Sequence, residues 1–357
     1  MKDDSRKVMR MALLPLAALA IALAGCDEKV EPSPQPEEKV AISGDEYLQT
    51  ALDKLALGEL DAANDAVTNA LALLPDSAEA RLADGQVAYL RRDYKRAMAD
   101  FNAVASEKSL PAPIRSQAFV SRAVVEIAQN EFDAARMTLF RALRLDRRNA
   151  AVWYHLGILS RNTYNFDEAA VEQFEMAARL SDPKEPRTQK LSREIIPAVR
   201  ASIAAAAASK PGVAKRNAGQ ASDLIREAEA LRKKKMIRAA IKKYEAALAA
   251  DPFSYQAARE LAGLISANDK SSAGVDKALR AYRAAIDQRP AVQENYYAAA
   301  QLAYANKRWA TAEAILNRAI AHDPENIKTL DLYIATLQKV GKGKQSEAWK
   351  TYRQELK

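Results

Sequence analysis

"GELDAANDAVTNALALLP" (58–75) and "RDYKRAMADFNAVA" (92–105) carry one pattern twice, with Ala63, Val67 and Ala70 recurring 34 residues on as Ala97, Phe101 and Val104. In both, a bulky residue is followed three places later by a small one, after four more by an aromatic or aliphatic residue, and after three more by a small apolar residue. Steps of three and four keep all of these on one face of an α-helix. The pattern returns in "NEFDAARMTLFRALRLD" (130–146), "YNFDEAAVEQFEMAARLSDP" (164–183), "KMIRAAIKKYEAALAADP" (235–252), "VDKALRAYRAAIDQRP" (275–290) and "RWATAEAILNRAIAHDP" (308–324). Ahead of each lies another amphipathic stretch with its own small residue, at Ala51, Gly85, Ala123, Gly157, Ala228, Ala262 and Ala300. Pro252, Pro290 and Pro324 stand where the second stretch of a unit must end, because proline cannot continue a helix. The repeating unit is helix, turn, helix.

Composition supports an all-α chain. Residues are 49% apolar but only 6% aromatic, with 11 glycines and alanine in frequent pairs and triplets, a balance that favours helices over sheets. Nothing after residue 26 shows the alternation and turn dipeptides that strands leave behind.

A 34-residue helical hairpin with small residues at the crossing resembles the tetratricopeptide repeat, and "VWYHLG" (152–157) with "FDEAA" (166–170) carries the resemblance most clearly. The physics agrees: Ala or Gly at the crossing lets paired helices approach closely, and the bulky residues fill the gap to the next hairpin. The resemblance implies an α-solenoid, a right-handed superhelix of hairpins. The spacing stretches by four residues near "SEKSLPAPI" (106–114), by one before Phe166 and by four in "NDKSSAG" (268–274), all at connections, which tolerate insertion. Residues 184–216 break the period: helix-forming composition runs to Ser209, where Pro-Gly follows one residue on. This predicts a first array over 44–183, a linking or capping helix over 184–216, and a second array of three repeats plus a C-terminal capping hairpin over 217–357. "SIAAAAAS" (202–209) is too short and too weakly hydrophobic for a membrane span, which needs ~20 apolar residues.

The N-terminus reads differently. A charged start, "MKDDSRKVMR", precedes an uncharged run over 11–25, the form of a secretory signal peptide. The run ends in "LAGC", which resembles the bacterial lipoprotein box and contains the only cysteine, Cys26. That resemblance implies cleavage before Cys26, diacylation of its thiol and attachment to a membrane; an ordinary signal peptide with a free cysteine fits poorly with an oxidising compartment. Two or more acyl chains satisfy the requirement for stable anchoring. Residues 26–43 contain five acidic residues, two lysines and three prolines, the composition of an acidic extended tether.

Motifs for catalysis are lacking. His155 and His322 are the only histidines and neither has a second ligand at metal spacing. "VGKGKQS" (340–346) lacks the leading glycine and the Lys-Ser/Thr ending of a phosphate loop, and "SDPK" (181–184) has the Ser-x-x-Lys spacing without its companion motifs. The expectation is a protein without cofactor or metal, and not an enzyme.

Charge is lopsided. Of the net +8, residues 1–25 hold +2, residues 26–43 hold −3 and residues 44–183 hold −5, whereas 184–216 hold +6 and 217–357 hold +8. The densest basic run, "LRKKKMIRAAIKK" (231–243), includes Lys233, Lys234 and Lys235; it reads as a solvated turn or as a contact for an acidic partner or polyanion. An exported location disfavours nucleic acid. The family resemblance implies a concave face of first helices that holds a segment of another envelope protein, and by register this face falls on Tyr89, Tyr154, Arg161, Arg232, Arg259, Tyr297, Gln301 and Tyr304. Lipid-anchored repeat proteins of this kind assist pilus or secretin assembly, outer-membrane protein insertion and polysaccharide export. The expected function is therefore an adaptor in the cell envelope, with an anionic-polymer-binding protein as the alternative.

Overall fold

A computed structural model describes residues 42–164, 166–181, 187–208 and 216–356, and these contain seventeen α-helices and no strand. Four hairpins come first: α1 (Gly44–Leu57) with α2 (Leu60–Leu73), α3 (Ala78–Leu90) with α4 (Tyr94–Ser106), α5 (Ala112–Ala128) with α6 (Phe132–Leu145), and α7 (Ala150–Asn162) with α8 (Asp167–Leu180). A longer helix, α9 (Arg187–Ala208), follows. Four more hairpins complete the chain: α10 (Ala218–Lys233) with α11 (Ile237–Ala250), α12 (Tyr255–Asn268) with α13 (Ser272–Gln288), α14 (Gln293–Ala305) with α15 (Trp309–His322), and α16 (Ile327–Lys339) with α17 (Gly343–Gln354). The chain divides into two compact units, one of residues up to 165 with 170–199, the other of 166–169 with residues from 200 onward. No helix among the described residues is long and apolar enough to cross a membrane.

Local chemistry marks most of the hairpins in the same places. Ser43, Ser77, Asn149, Asn217, Ser254 and Asn326 cap first helices, each side chain accepting a hydrogen bond from an amide of the first turn that has no partner within the helix. The turn to the second helix is closed by a left-handed residue, Gly58, Arg92, Asn130, Lys235, Lys307 or Gly341, with φ between 58° and 79°. The following amide then donates five residues back, as from Glu59 to Lys54 (3.0 Å), Asp93 to Ala88 (2.8 Å) and Lys342 to Leu337 (2.9 Å). This is the backbone signature that terminates a helix and starts the next strictly in phase. "VGKGKQS" is such a turn, with Gly341 supplying the left-handed position.

The crossing residues are buried as their size requires. Ala51, Ala123, Ala228, Ala262 and Ala300 on first helices and Ala63, Ala97, Ala135, Ala240 and Ala312 on second helices are all fully shielded from solvent. Val67, Phe101, Leu139, Phe174, Tyr244 and Leu316 pack beside them, also buried. At Gly85 and Gly157 the approach is closest: an added Cβ would stand 2.6 Å from a Phe101 ring carbon and 2.7 Å from a Phe174 ring carbon. Within each unit, second helices also pack on the first helix of the next hairpin, as α4 does on α5 and α15 on α16. First helices meet one another directly at α1 and α3, α3 and α5, and α14 and α16. In the last hairpin aromatic packing replaces small residues: Trp349 stands edge-on to Tyr333 and Tyr352, at 5.5 and 5.6 Å between ring centres.

Candidate partner-binding face

The first helices of the second unit, α10, α12 and α14, each present polar or aromatic side chains to solvent. Arg232 on α10 donates to the Glu260 carboxylate on α12 at 2.8 Å, and Arg259 reaches the other oxygen of Glu260 at 3.3 Å. Gln256 on α12 donates to Glu229 on α10 at 2.9 Å. Two arginines thus share one carboxylate, and the side chains are held in place across two helices. On α14, Gln301 is exposed and Tyr297 and Tyr304 are half-buried, each leaving part of its ring to solvent. Tyr297 lines a cleft of about 430 Å³ between the starts of α14 and α16, with Gln293, Glu294 and residues 326–329.

The first unit treats the same register differently. Tyr89 and Tyr154, expected on the exposed face, are 7% and 3% exposed and belong to the interior. Tyr89 packs with Ala88, Ala97, Phe101, Val124 and Val125, and burial, with Tyr94 beside it, pushes its phenol up to about 12. Tyr154 stands edge-on to Phe174 at 5.9 Å. The reason is geometric: a residue three before or four after the crossing residue lies one turn away on nearly the same face, so where hairpins pack closely it is covered. Arg161 is half-buried. The structure therefore brings Arg232 and Arg259 together through Glu260, leaves Tyr297, Gln301 and Tyr304 on the exposed side of α14, and removes Tyr89 and Tyr154 from the set.

Buried charge in the first unit escaped the sequence reading. Asp84 is paired with Arg96 across α3 and α4, and the neighbouring Asp100 carboxyl is pushed up to about 6, first by burial and then by Asp84. Glu126, nearly fully buried, pairs with Arg122 at 2.9 Å, and burial raises its carboxyl above the usual range. A signal existed: three places after the crossing residue stand Ala88, Ser160, Leu231, Ile265 and Ala303 in five other repeats, and charge appears there only as Glu126 and, in the first repeat, Lys54. His155 is likewise buried, and desolvation lowers its imidazole to about 4, so it is neutral at physiological pH. His322 faces the Tyr296 ring at 6.0 Å. No cluster of three or more metal-ligating side chains occurs among the described residues.

Lys233, Lys234 and Lys235 are exposed in the turn after α10 and make no ion pair among the described residues; Lys235 also supplies that turn's left-handed residue. The signal peptide, Cys26 and the tether as far as residue 41 lie outside the described residues, as does most of "SDPK".

A sequence model described as the tetratricopeptide repeat matches residues 48–110, 120–185 and 271–327, together more than half of the chain. No curated protein matches the sequence. Similar solved structures include YrrB, described as a TPR protein with an unusual peptide-binding site, at 16% identity over 64% of this chain and 95% of that one, with a TM-score of 0.27. The TPR2AB domain of yeast Sti1 in complex with a pHSP90 is 12% identical over 88% of this chain and 98% of that one, with a TM-score of 0.29. A tetratricopeptide repeat protein from Parabacteroides merdae is 11% identical over 82% and 98%, with a TM-score of 0.33.

Proposed function

Because the chain belongs to the tetratricopeptide repeat family, we propose that it is a non-catalytic protein-binding scaffold of the bacterial cell envelope, anchored by acylated Cys26, whose second unit holds a segment of another envelope protein. The observation that carries this reading is the exposed row on three successive first helices: Arg232, Arg259, Tyr297, Gln301 and Tyr304. Arginine and tyrosine are the side chains that most often anchor protein interfaces, since each couples a large contact area to a directional polar group. Hydrogen bonding through Glu260 pre-orders two of them and lowers the entropy lost on binding. The anchor rests on "LAGC" and the single cysteine, and the acidic tether would let the arrays stand off from the membrane. Assembly of a pilus, secretion or export machine is the setting such an adaptor suits.

The test is capture after crosslinking in cells and detergent solubilisation. The scaffold reading predicts a protein recovered with the wild type and lost when Arg259→Ala, Tyr297→Ala and Gln301→Ala are combined; equal recovery would contradict it. A second reading, binding of an anionic cell-wall or exported polymer, is favoured by lysines 233–235, which are exposed and make no ion pair among the described residues. It predicts binding that falls steeply with salt and is abolished by neutralising those three residues, whereas a peptide held by burial responds weakly to salt.

A further inference from the structure

Second helices of successive hairpins are tied by ion pairs, as in Lys277 with Glu245 and, at the start of α17, Lys342 with Glu313. Between α13 and α15 there are two such ties, Arg308 with Asp276 where the helices begin and Arg318 with Asp287, 3.4 Å apart, near their ends. The helices separate between these ties and enclose a cavity of about 460 Å³. Its floor is apolar, formed by Leu279, Ile286, Ile315 and the ring of Tyr296. On its rim stand Arg280 and Arg283, one turn apart on α13, both exposed and neither making an ion pair among the described residues.

We infer that this cavity is a second binding site, which takes a protein segment presenting an apolar side chain flanked by carboxylates. An apolar floor rewards an apolar group by the area it removes from water, while two exposed guanidiniums that make no ion pair among the described residues offer paired donors to acidic groups beside it. A purely apolar ligand would leave those arginines unanswered, and a simple anion would leave the floor wet. The volume lies within the usual range for a specific pocket, about 300–1,000 Å³. Arg280, Arg283, Thr311 and Ala314 are all exposed, so the cavity is open along one flank. A protein segment closes that flank with its own backbone, whereas a single acyl chain would keep one side in water. Tyr296 turns into this cavity and its neighbour Tyr297 lines the cleft toward α16, so the two sites use opposite sides of α14 and the inference stands independently of the first-helix face.

The test uses the full chain and fluorescence anisotropy with a labelled twelve-residue amphipathic peptide of glutamate and leucine, and its counterpart with glutamine for glutamate. The acidic peptide should bind, and Arg280→Gln with Arg283→Gln should weaken it at least tenfold. Ala314→Trp, which fills the cavity, should weaken it similarly, while Lys242→Ala on the exposed side of α11, outside both sites, should leave it unchanged. Equal binding of the glutamine peptide, or undiminished binding by the double arginine variant, would overturn the inference. So would dodecanoate displacing the acidic peptide at lower concentration than the unlabelled peptide does, which would mark a lipid site.

Discussion

Gly157→Ala tests the packing of the repeat at one of its two glycine crossings. A methyl group added there would lie 2.7, 2.8 and 2.9 Å from three carbons of the Phe174 ring. Phe174 is fully buried, so the ring cannot swing into solvent, and the overlap must be relieved by moving α7 and α8 apart. Overpacking of this kind costs about 1–3 kcal/mol, set against about 1 kcal/mol gained from the better helix propensity of alanine. With contacts this short the larger cost applies, and the expected net loss is about 2 kcal/mol. Gly263→Ala provides the control, because no atom lies within 4 Å of its added methyl and the propensity gain of about 1 kcal/mol should appear alone. Amide hydrogen exchange read by mass spectrometry on peptides of each helix reports these changes locally, which suits an array coupled mainly through neighbours. Exchange should quicken in α7 and α8 for Gly157→Ala and slow in α12 for Gly263→Ala. Adding Phe174→Leu should restore much of the loss, since the third hairpin combines Ala123 with Leu139 at the same two positions and buries both. Slower exchange in α7 and α8 for Gly157→Ala alone would refute the reasoning.

Other expectations follow from burial and charge. His155 is held neutral in the fold with its imidazole at about 4 against 6.5 when exposed, so the unfolded chain takes up the proton first. Stability from this site is complete above pH 6.5 and lost as pH falls toward 4, by about 3 kcal/mol, and the urea midpoint of His155→Phe should lack that share of the acid sensitivity. Asp100 has the opposite sign: its folded carboxyl titrates near 6, above the ordinary 3.8, so the fold gains stability as pH falls between them, and Asp100→Asn should stabilise at pH 7 but not at pH 3.5. Ala240→Glu places a carboxylate where no solvent reaches and should cost several kcal/mol, seen as loss of exchange protection in α10 to α13 while α1 to α6 keep theirs. Cys26→Ser should release the protein from membranes or leave it unprocessed, and equal fatty-acid labelling of wild type and variant would contradict lipidation.

The hairpins were legible because the sequence repeats a physical constraint seven times: a small residue wherever two helices cross, and a bulky one wherever the gap must be filled. The irregular spacings near 106–114 and 268–274 were expected at connections, but the extra residues go mostly into helices: α5 and α13 each run to 17 residues, against 13 or 14 in α1 to α4. Exposure was less legible. The same register leaves Arg232 and Arg259 exposed and buries Tyr89 and Tyr154, because how closely successive hairpins pack is set by their tertiary partners and not by periodicity. The pairing of Arg232 and Arg259 through Glu260 depends on contacts 28 residues apart in one case and adjacent in the other, which no helical period encodes. The cavity between α13 and α15 was invisible for a similar reason: its arginines look like an ordinary solvated face until the neighbouring helix supplies Ile315 and the two flanking ion pairs.

Position-resolved photocrosslinking tests the central claim most directly, that the first helices of the second unit hold the partner. A photoreactive residue replaces Arg259, Gln301 or, as a control on the exposed side of α11, Lys242, in cells that carry the full chain. The account predicts one and the same adduct from positions 259 and 301 and none from 242. Adducts at equal yield from 242, or no adduct from 259 and 301 while the folded protein accumulates normally, would contradict it.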